Sequence, residues 1–91
     1  MIEEIKKALG IDEEDKFYDN YLDTLILASE SYIKELIPVD ITYDLIPRYK
    51  ITVIAMVTYM FNNREIKSED ISSNKVIKSL LNSLRYKAME E

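Results

Sequence analysis

The sequence has no cysteine and no histidine, and its 91 residues include only one glycine and two prolines. Without cysteine and histidine the chain has no disulfide, no thiolate nucleophile, no zinc-finger ligand set and no imidazole general base. Few glycines and prolines mean few turns, so we expect a small number of long elements. Most designs of active site are excluded, and we predict that the protein is not an enzyme.

Long hydrophobic stretches are also missing. The longest apolar run, residues 51–61, is shorter than the roughly 18 residues that a membrane-spanning helix needs. Glu3 and Glu4 interrupt the apolar start of the chain, which therefore does not resemble a secretory signal. We expect no membrane association and a protein that stays in the cytoplasm of the cell that makes it.

The composition is that of a globular chain, with 47% hydrophobic and 32% charged residues. A domain of this length buries only roughly 60 to 65% of the surface that its unfolded chain exposes. We predict a single domain, residues 1–91, whose core is marginal for an isolated monomer.

Charge is unevenly placed along the chain, although the net charge is only −5. Residues 1–46 carry 12 acidic and 4 basic side chains, whereas residues 47–91 carry 5 acidic and 8 basic ones. Nucleic-acid binding needs a concentrated basic face, so DNA is disfavoured as the main ligand. The opposite charges of the two halves suit head-to-tail contact between copies. Mixed charge on solvated surfaces is, however, the commoner explanation of such an uneven distribution.

Helical spacing of Ile2, Ile5 and Leu9 predicts a short first helix over residues 2–9. Gly10 follows where a left-handed C-terminal cap favours glycine. We therefore expect the first helix to end there.

A long second helix is predicted from Asp12, because Asp12 and Asp15 can accept hydrogen bonds from the free N–H groups of a helix start. It ends near residues 36–37, since Pro38 cannot continue a helix. Its apolar stripe consists of Tyr18, Leu22, Leu25, Ile26, Ser29, Ile33 and Leu36.

Residues 38–46 favour extended conformations without an evident partner strand, and we predict an apolar linker. A third helix should begin within residues 44–47 and end at about residue 63. Because residues 51–61 are almost all apolar, this helix should form the core or face partners on two sides. Its apolar positions include Tyr49, Val53, Met56, Val57, Met60 and Phe61.

Residues 65–73 are polar and predict an exposed loop, after which Ser73 or Asn74 can cap a last helix. The predicted fold class is all-α: a small bundle of about four helices, two long and two short, with the extended linker between the second and third. The apolar face of the last helix comprises Val76, Ile77, Leu80, Leu81 and Leu84.

The only candidate metal site is an acidic cluster near the start of the second helix. It lacks the alternating acids and central glycine of a calcium loop, and helix capping with a solvated face explains it. We predict no metal and no cofactor. The cluster consists of Asp12, Glu13, Glu14, Asp15 and Asp19.

Tyrosine is unusually frequent, with seven in the chain. Its ring is apolar and its hydroxyl needs a partner, so tyrosine is enriched at protein interfaces, although an ordinary core with amphipathic edges is an equally good explanation. The candidate interface tyrosines are Tyr18, Tyr21, Tyr32, Tyr49 and Tyr59.

Four short groups of residues follow one another along the chain in the same order as in the head-to-tail connector (adaptor) proteins of long-tailed phages and prophages, which the sequence therefore resembles. The sequence departs from that family in two places: Phe61 and Asn62 stand where the family has Tyr and an acidic residue, and the loop after Glu65 is short. The matching residues are Leu9, Ile11 and Asp12; Tyr32 and Ile33; Asn63, Arg64 and Glu65; and Leu80, Leu81, Leu84 and Arg85.

The resemblance implies a structural subunit of a ring, dodecameric in the family, at the head-tail junction of the virion. Its partners would be other copies of itself, the portal protein and the next tail-proximal connector protein, with DNA passing through only as non-specific cargo. Arg64 and Arg85 join the tyrosines as candidate interface residues.

Two alternatives remain from the residues alone. One is a small helical adaptor or regulatory protein of a mobile element that binds a partner helix in an apolar groove. The other is a helical DNA-binding protein in which residues 75–87 form a recognition helix.

Overall fold

The computed structural model describes residues 1–63 and 74–89. Within these residues there are four α-helices and no strand, which confirms the predicted all-α bundle. A 3₁₀ turn, Tyr43–Leu45, precedes the third helix, and the loop predicted at residues 65–73 lies outside the described residues. The helices are α1 (Ile2–Leu9), α2 (Asp19–Leu36), α3 (Ile46–Asn62) and α4 (Lys75–Ala88).

The centre of the fold is α3, against which α1, α2 and α4 all pack. Val53, Met56 and Val57 of α3 are fully buried, as expected for a helix with apolar residues on nearly every side. Of the two possibilities predicted for this helix, the structure confirms that it forms the core. The buried apolar residues of the core are Ile5, Leu22, Leu25, Ile33, Ile37, Leu45, Val53, Met56, Val57, Ile77, Leu81 and Leu84.

The first helix ends as predicted, at a glycine in the left-handed conformation. Gly10 has φ 74°, and the N–H groups of Gly10 and Ile11 donate to the carbonyl oxygens of Lys7 and Lys6. No atom lies within 4 Å of where a Cβ of Gly10 would stand. The backbone angle, rather than lack of space, favours glycine there.

The predicted start of α2 at Asp12 is wrong, because the helix begins at Asp19. The side-chain Oδ1 of Asp12 accepts the N–H of Glu14 at 2.9 Å, and that of Asp15 accepts the N–H of Phe17 at 3.0 Å. Such bonds to the N–H two residues ahead form turns that compete with helix. The acidic side chains therefore stabilise a turning segment, residues 10–18, in front of the helix.

Lys6 fastens this turning segment to α1. The side chain is almost fully buried, and its Nζ donates to the carbonyl oxygens of Asp15 at 2.9 Å and Glu13 at 3.3 Å. It also forms an ion pair with Oδ1 of Asp19 at 2.6 Å. One ammonium group thus satisfies two carbonyls and a carboxylate that the turning segment and the start of α2 present.

Two residues assigned to apolar stripes are exposed instead. Leu36 lies at the end of α2, where the chain leaves the helix and Ile37 enters the core in its place. Val76 is 67% exposed, because it is rotated by about 100° from the buried Ile77 on α4. The predicted cap of α4 is confirmed, since Oδ1 of Asn74 accepts the N–H of Ile77 at 3.0 Å.

The buried Lys6 predicts a large effect of one substitution on stability. Lys6→Met should lower the free energy of unfolding by about 2 kcal/mol, because it leaves the partly buried Asp19 carboxylate and two carbonyls without their donor. Lys7→Met is the matched control, since Lys7 is exposed on the same helix, and it should change the value by less than about 0.5 kcal/mol. Urea unfolding at one protein concentration measures both; equal effects would contradict the role of Lys6.

Candidate functional site

Three consecutive residues in the first part of α3 each bond to a different helix. Successive residues of an α-helix point about 100° apart, so three neighbours in sequence can face three neighbours in space. The bonds join Arg48 Nη1 to Ser83 Oγ of α4 at 2.9 Å, Tyr49 Oη to Glu30 Oε2 of α2 at 2.8 Å, and Lys50 Nζ to Glu4 Oε1 of α1 at 3.3 Å. These polar contacts fix the register of the bundle at this end.

The Tyr49–Glu30 bond is the most buried of the three, and it changes the chemistry of the tyrosine. Burial of Tyr49, its hydrogen bond to Glu30 and the negative charge of that carboxylate raise the pKa of the hydroxyl far above its usual value. The hydroxyl therefore remains a donor throughout the physiological range. Tyr49 braces α3 against α2 within one chain, and its ring lines a groove on the surface.

An apolar groove runs along the second half of α2 and the linker that follows it. We call it the α2 groove; its volume is about 340 Å³. Leu27, which is 65% exposed, and Val39 offer apolar surface to solvent at its rim, and Glu30, Lys34 and Asp40 add charge. Its apolar lining consists of Leu27, Ile33, Ile37, Val39, Ile41 and Tyr49.

An aromatic cluster lies at the other end of α2 and α3. The Tyr18 ring packs edge-on against Phe17, with centroids 4.9 Å apart, and against Phe61 at 5.1 Å. Tyr21 lies 6.0 Å from Phe61. Because the start of α2 meets the end of α3, while Glu30 meets Tyr49, the two helices run antiparallel. Phe17 is 82% exposed, so the cluster continues to the surface.

The outward side of α4 forms a third surface, lined by Asn82, Arg85, Tyr86 and Met89. Tyr86 is 70% exposed and Met89 is also exposed. The helix, Lys75–Ala88, carries four basic and no acidic side chains. The α4 face, defined by these four residues, therefore presents apolar groups on a basic helix.

The predicted interface residues are distributed over these surfaces and not gathered into one patch. Tyr18 and Tyr21 belong to the aromatic cluster, and Arg85 to the α4 face. Tyr32 and Tyr59 are half-buried and pack against the core. Tyr49 lines the α2 groove, and Arg64 lies outside the described residues. Their contact with another subunit stays a prediction.

Sequence reasoning missed the exposed apolar residues that define the α2 groove and the α4 face, namely Leu27, Val39, Tyr86 and Met89. Leu27 gave a usable signal, because it is a large apolar residue outside the buried stripe of α2. Val39 gave none, since the path of the linker decides its exposure.

Neither the acidic cluster nor the apolar helices form a metal or membrane site within the described residues. Within residues 1–63 and 74–89, no three or more acidic side chains are placed to hold a metal ion. None of the helices in this part of the chain has both the length and the apolar character needed to cross a membrane.

The Tyr49–Glu30 bond makes stability depend on pH in the alkaline range. Below about pH 9, Tyr49→Phe should lower the free energy of unfolding by about 1 kcal/mol. The unfolded tyrosine ionises near pH 10, whereas the folded one ionises higher, so the wild-type advantage is lost as pH rises between those values. Chemical unfolding at neutral and alkaline pH measures the difference.

Tyr43→Phe is the control for this measurement, because Tyr43 is almost fully exposed. It should leave stability within about 0.5 kcal/mol of the wild type. A Tyr49→Phe deficit that did not shrink above about pH 10 would contradict the assignment.

Comparison with known proteins places the chain in a family. The sequence model of the family described as Phage gp6-like head-tail connector protein matches residues 1–89. No match was found among curated proteins or solved structures. Since the matched range covers nearly the whole chain, this protein belongs to the Phage gp6-like head-tail connector family.

Proposed function

We propose that the chain is a structural subunit of a closed ring, dodecameric as the resemblance implies, that joins the portal vertex of a phage head to the tail. The ring surrounds part of the DNA channel at the head-tail junction of the virion. Its partners are other copies of the chain, the portal protein and the next tail-proximal connector protein. The family match over residues 1–89 carries this proposal.

The packing of the chain supports assembly. A domain of 91 residues has a limited core, and large apolar side chains remain exposed on α2, the linker and α4. Apolar surface of this kind marks sites of protein contact when it is grouped. Burial between copies would stabilise a chain whose own core is small.

The positions of these surfaces also support a ring. The α2 groove and the α4 face are built from different helices and share no residue. Contacts between two different surfaces of identical subunits repeat from copy to copy, and they close into a ring when the rotation permits. Two self-complementary patches would instead favour a simple dimer.

Electrostatics support a channel through which DNA moves. The net charge is −5, and the first 46 residues are strongly acidic. Tight binding of phosphates would hold DNA in place, whereas an acidic wall lets it pass. DNA is therefore cargo in this proposal and is not recognised by sequence.

Electron microscopy of the protein mixed with its cognate portal tests the ring directly. We expect added density beneath the portal with rotational symmetry, from which the number of copies can be counted. The portal alone is the control for this density. A portal that remains bare at saturating protein would refute the proposal.

A DNA-binding measurement tests the role of DNA as cargo. We expect no measurable affinity for duplex DNA at about 0.15 M salt, and only weak, sequence-independent binding at lower salt. Fluorescence anisotropy across a salt series measures this. Tight binding to one sequence would instead support the alternative in which α4 is a recognition helix.

A further inference from the structure

We propose that the α4 face of one copy docks in the α2 groove of the next copy. Tyr86 and Met89 enter the groove, and Arg85 lies beside Asp40 on its rim. The occupant of the groove is thus a second copy of this chain. This inference rests on the proposed function and names the contact that builds the ring.

Both surfaces expose apolar groups to solvent. Leu27 and Val39 leave apolar surface exposed at the rim of a groove of about 340 Å³. Tyr86 projects from α4 with 70% of its surface exposed, next to an exposed Met89. An aromatic side chain buries roughly 150–250 Å² when it is enclosed, and tyrosine and arginine are prominent among residues that dominate binding energy.

The charges of the two surfaces are complementary. Two acidic residues, Glu30 and Asp40, and one basic residue, Lys34, line the groove, and Glu30 is already bonded to Tyr49. In contrast, α4 carries four basic residues and no acidic one. Within the described residues, neither Asp40 nor Arg85 takes part in an ion pair of its own chain. Each charge is therefore available to the neighbouring copy.

Every copy carries one α2 groove and one α4 face, so the contact leaves one of each unused at the ends of any open chain of copies. Only closure satisfies all of them, which is the property of a ring. The opposite charges of the two surfaces also oppose pairing of groove with groove or of α4 with α4.

Photo-crosslinking from the groove tests the contact. The chain lacks cysteine, so Val39→Cys can be labelled at one position with a benzophenone maleimide. The labelled protein is mixed with ¹⁵N-labelled wild-type chain, free at high concentration and bound to portal, and then illuminated. We expect crosslinks to the ¹⁵N-labelled peptide that contains Tyr86 and Met89. Glu3→Cys, labelled on the exposed side of α1, is the control and should not give that product.

A charge exchange tests the polar part of the contact. Arg85→Asp and Asp40→Arg should each lower the yield of the intermolecular crosslink at least about fivefold, because each places like charges together. The double variant should restore most of the yield. Lys7→Asp makes the same charge change on α1 and should leave the yield unaltered. Circular dichroism verifies that every variant keeps its helices.

The outcomes separate this inference from the proposed function. A ring on the portal without crosslinks from Val39→Cys to α4 of another copy overturns the docking and leaves the connector role standing. Crosslinks to the portal or within the same chain alone also overturn the docking. If copies crosslink as expected but no ring forms on the portal, the docking stands and the connector role fails.

Discussion

The structure depends on the burial of the apolar side chains that α3 presents to three neighbouring helices. A helix of this kind cannot be covered by one neighbour, so α1, α2 and α4 are all required. The bonds of Arg48, Tyr49 and Lys50 to three different helices give this hydrophobic arrangement its register. Apolar burial provides the driving force, and the polar contacts join α3 to each of its three neighbours.

The smallest helix shows how a short chain completes such a core. α1 has only 8 residues, too few to be stable alone, yet Ile5 is fully buried. Lys6 compensates by bonding to the turning segment and to Asp19, which ties α1 to the start of α2. The backbone carbonyls of Glu13 and Asp15 and the carboxylate of Asp19 supply the acceptors for this anchor. The charge of Asp19 therefore has a structural role.

The same small core leaves apolar side chains without cover, and this links the fold to the proposed function. Three helices around a fourth cannot enclose Leu27, Val39 and Tyr86, which lie on the outer sides of the bundle. In a solitary protein such exposure favours aggregation, whereas in a ring it is buried between copies. Because the chain belongs to the head-tail connector family, burial between copies is the simpler explanation of these exposed side chains.

The sequence by itself determined the helices and the core. Spacing and capping preferences predicted α1, the extent of α3 and a cap at Ser73 or Asn74, because these follow from local hydrogen bonding and from a repeat of 3.6 residues. The order of its motifs also identified the family. Local rules failed at Asp12, where a side-chain hydrogen bond forms a turn in place of the helix. They also failed at Val76, whose exposure depends on the orientation of the whole of α4.

Only the tertiary structure decided which side chains meet and which remain outside. The partners of Lys6 and Tyr49 lie 7 to 19 residues away in sequence and outside the helix of each residue, so the spacing within a helix does not predict them. The α2 groove depends on the path of residues 37–42, which form no helix or strand and follow no periodic pattern. Contacts between distant residues arise from how helices pack, and the candidate interface is made of such contacts.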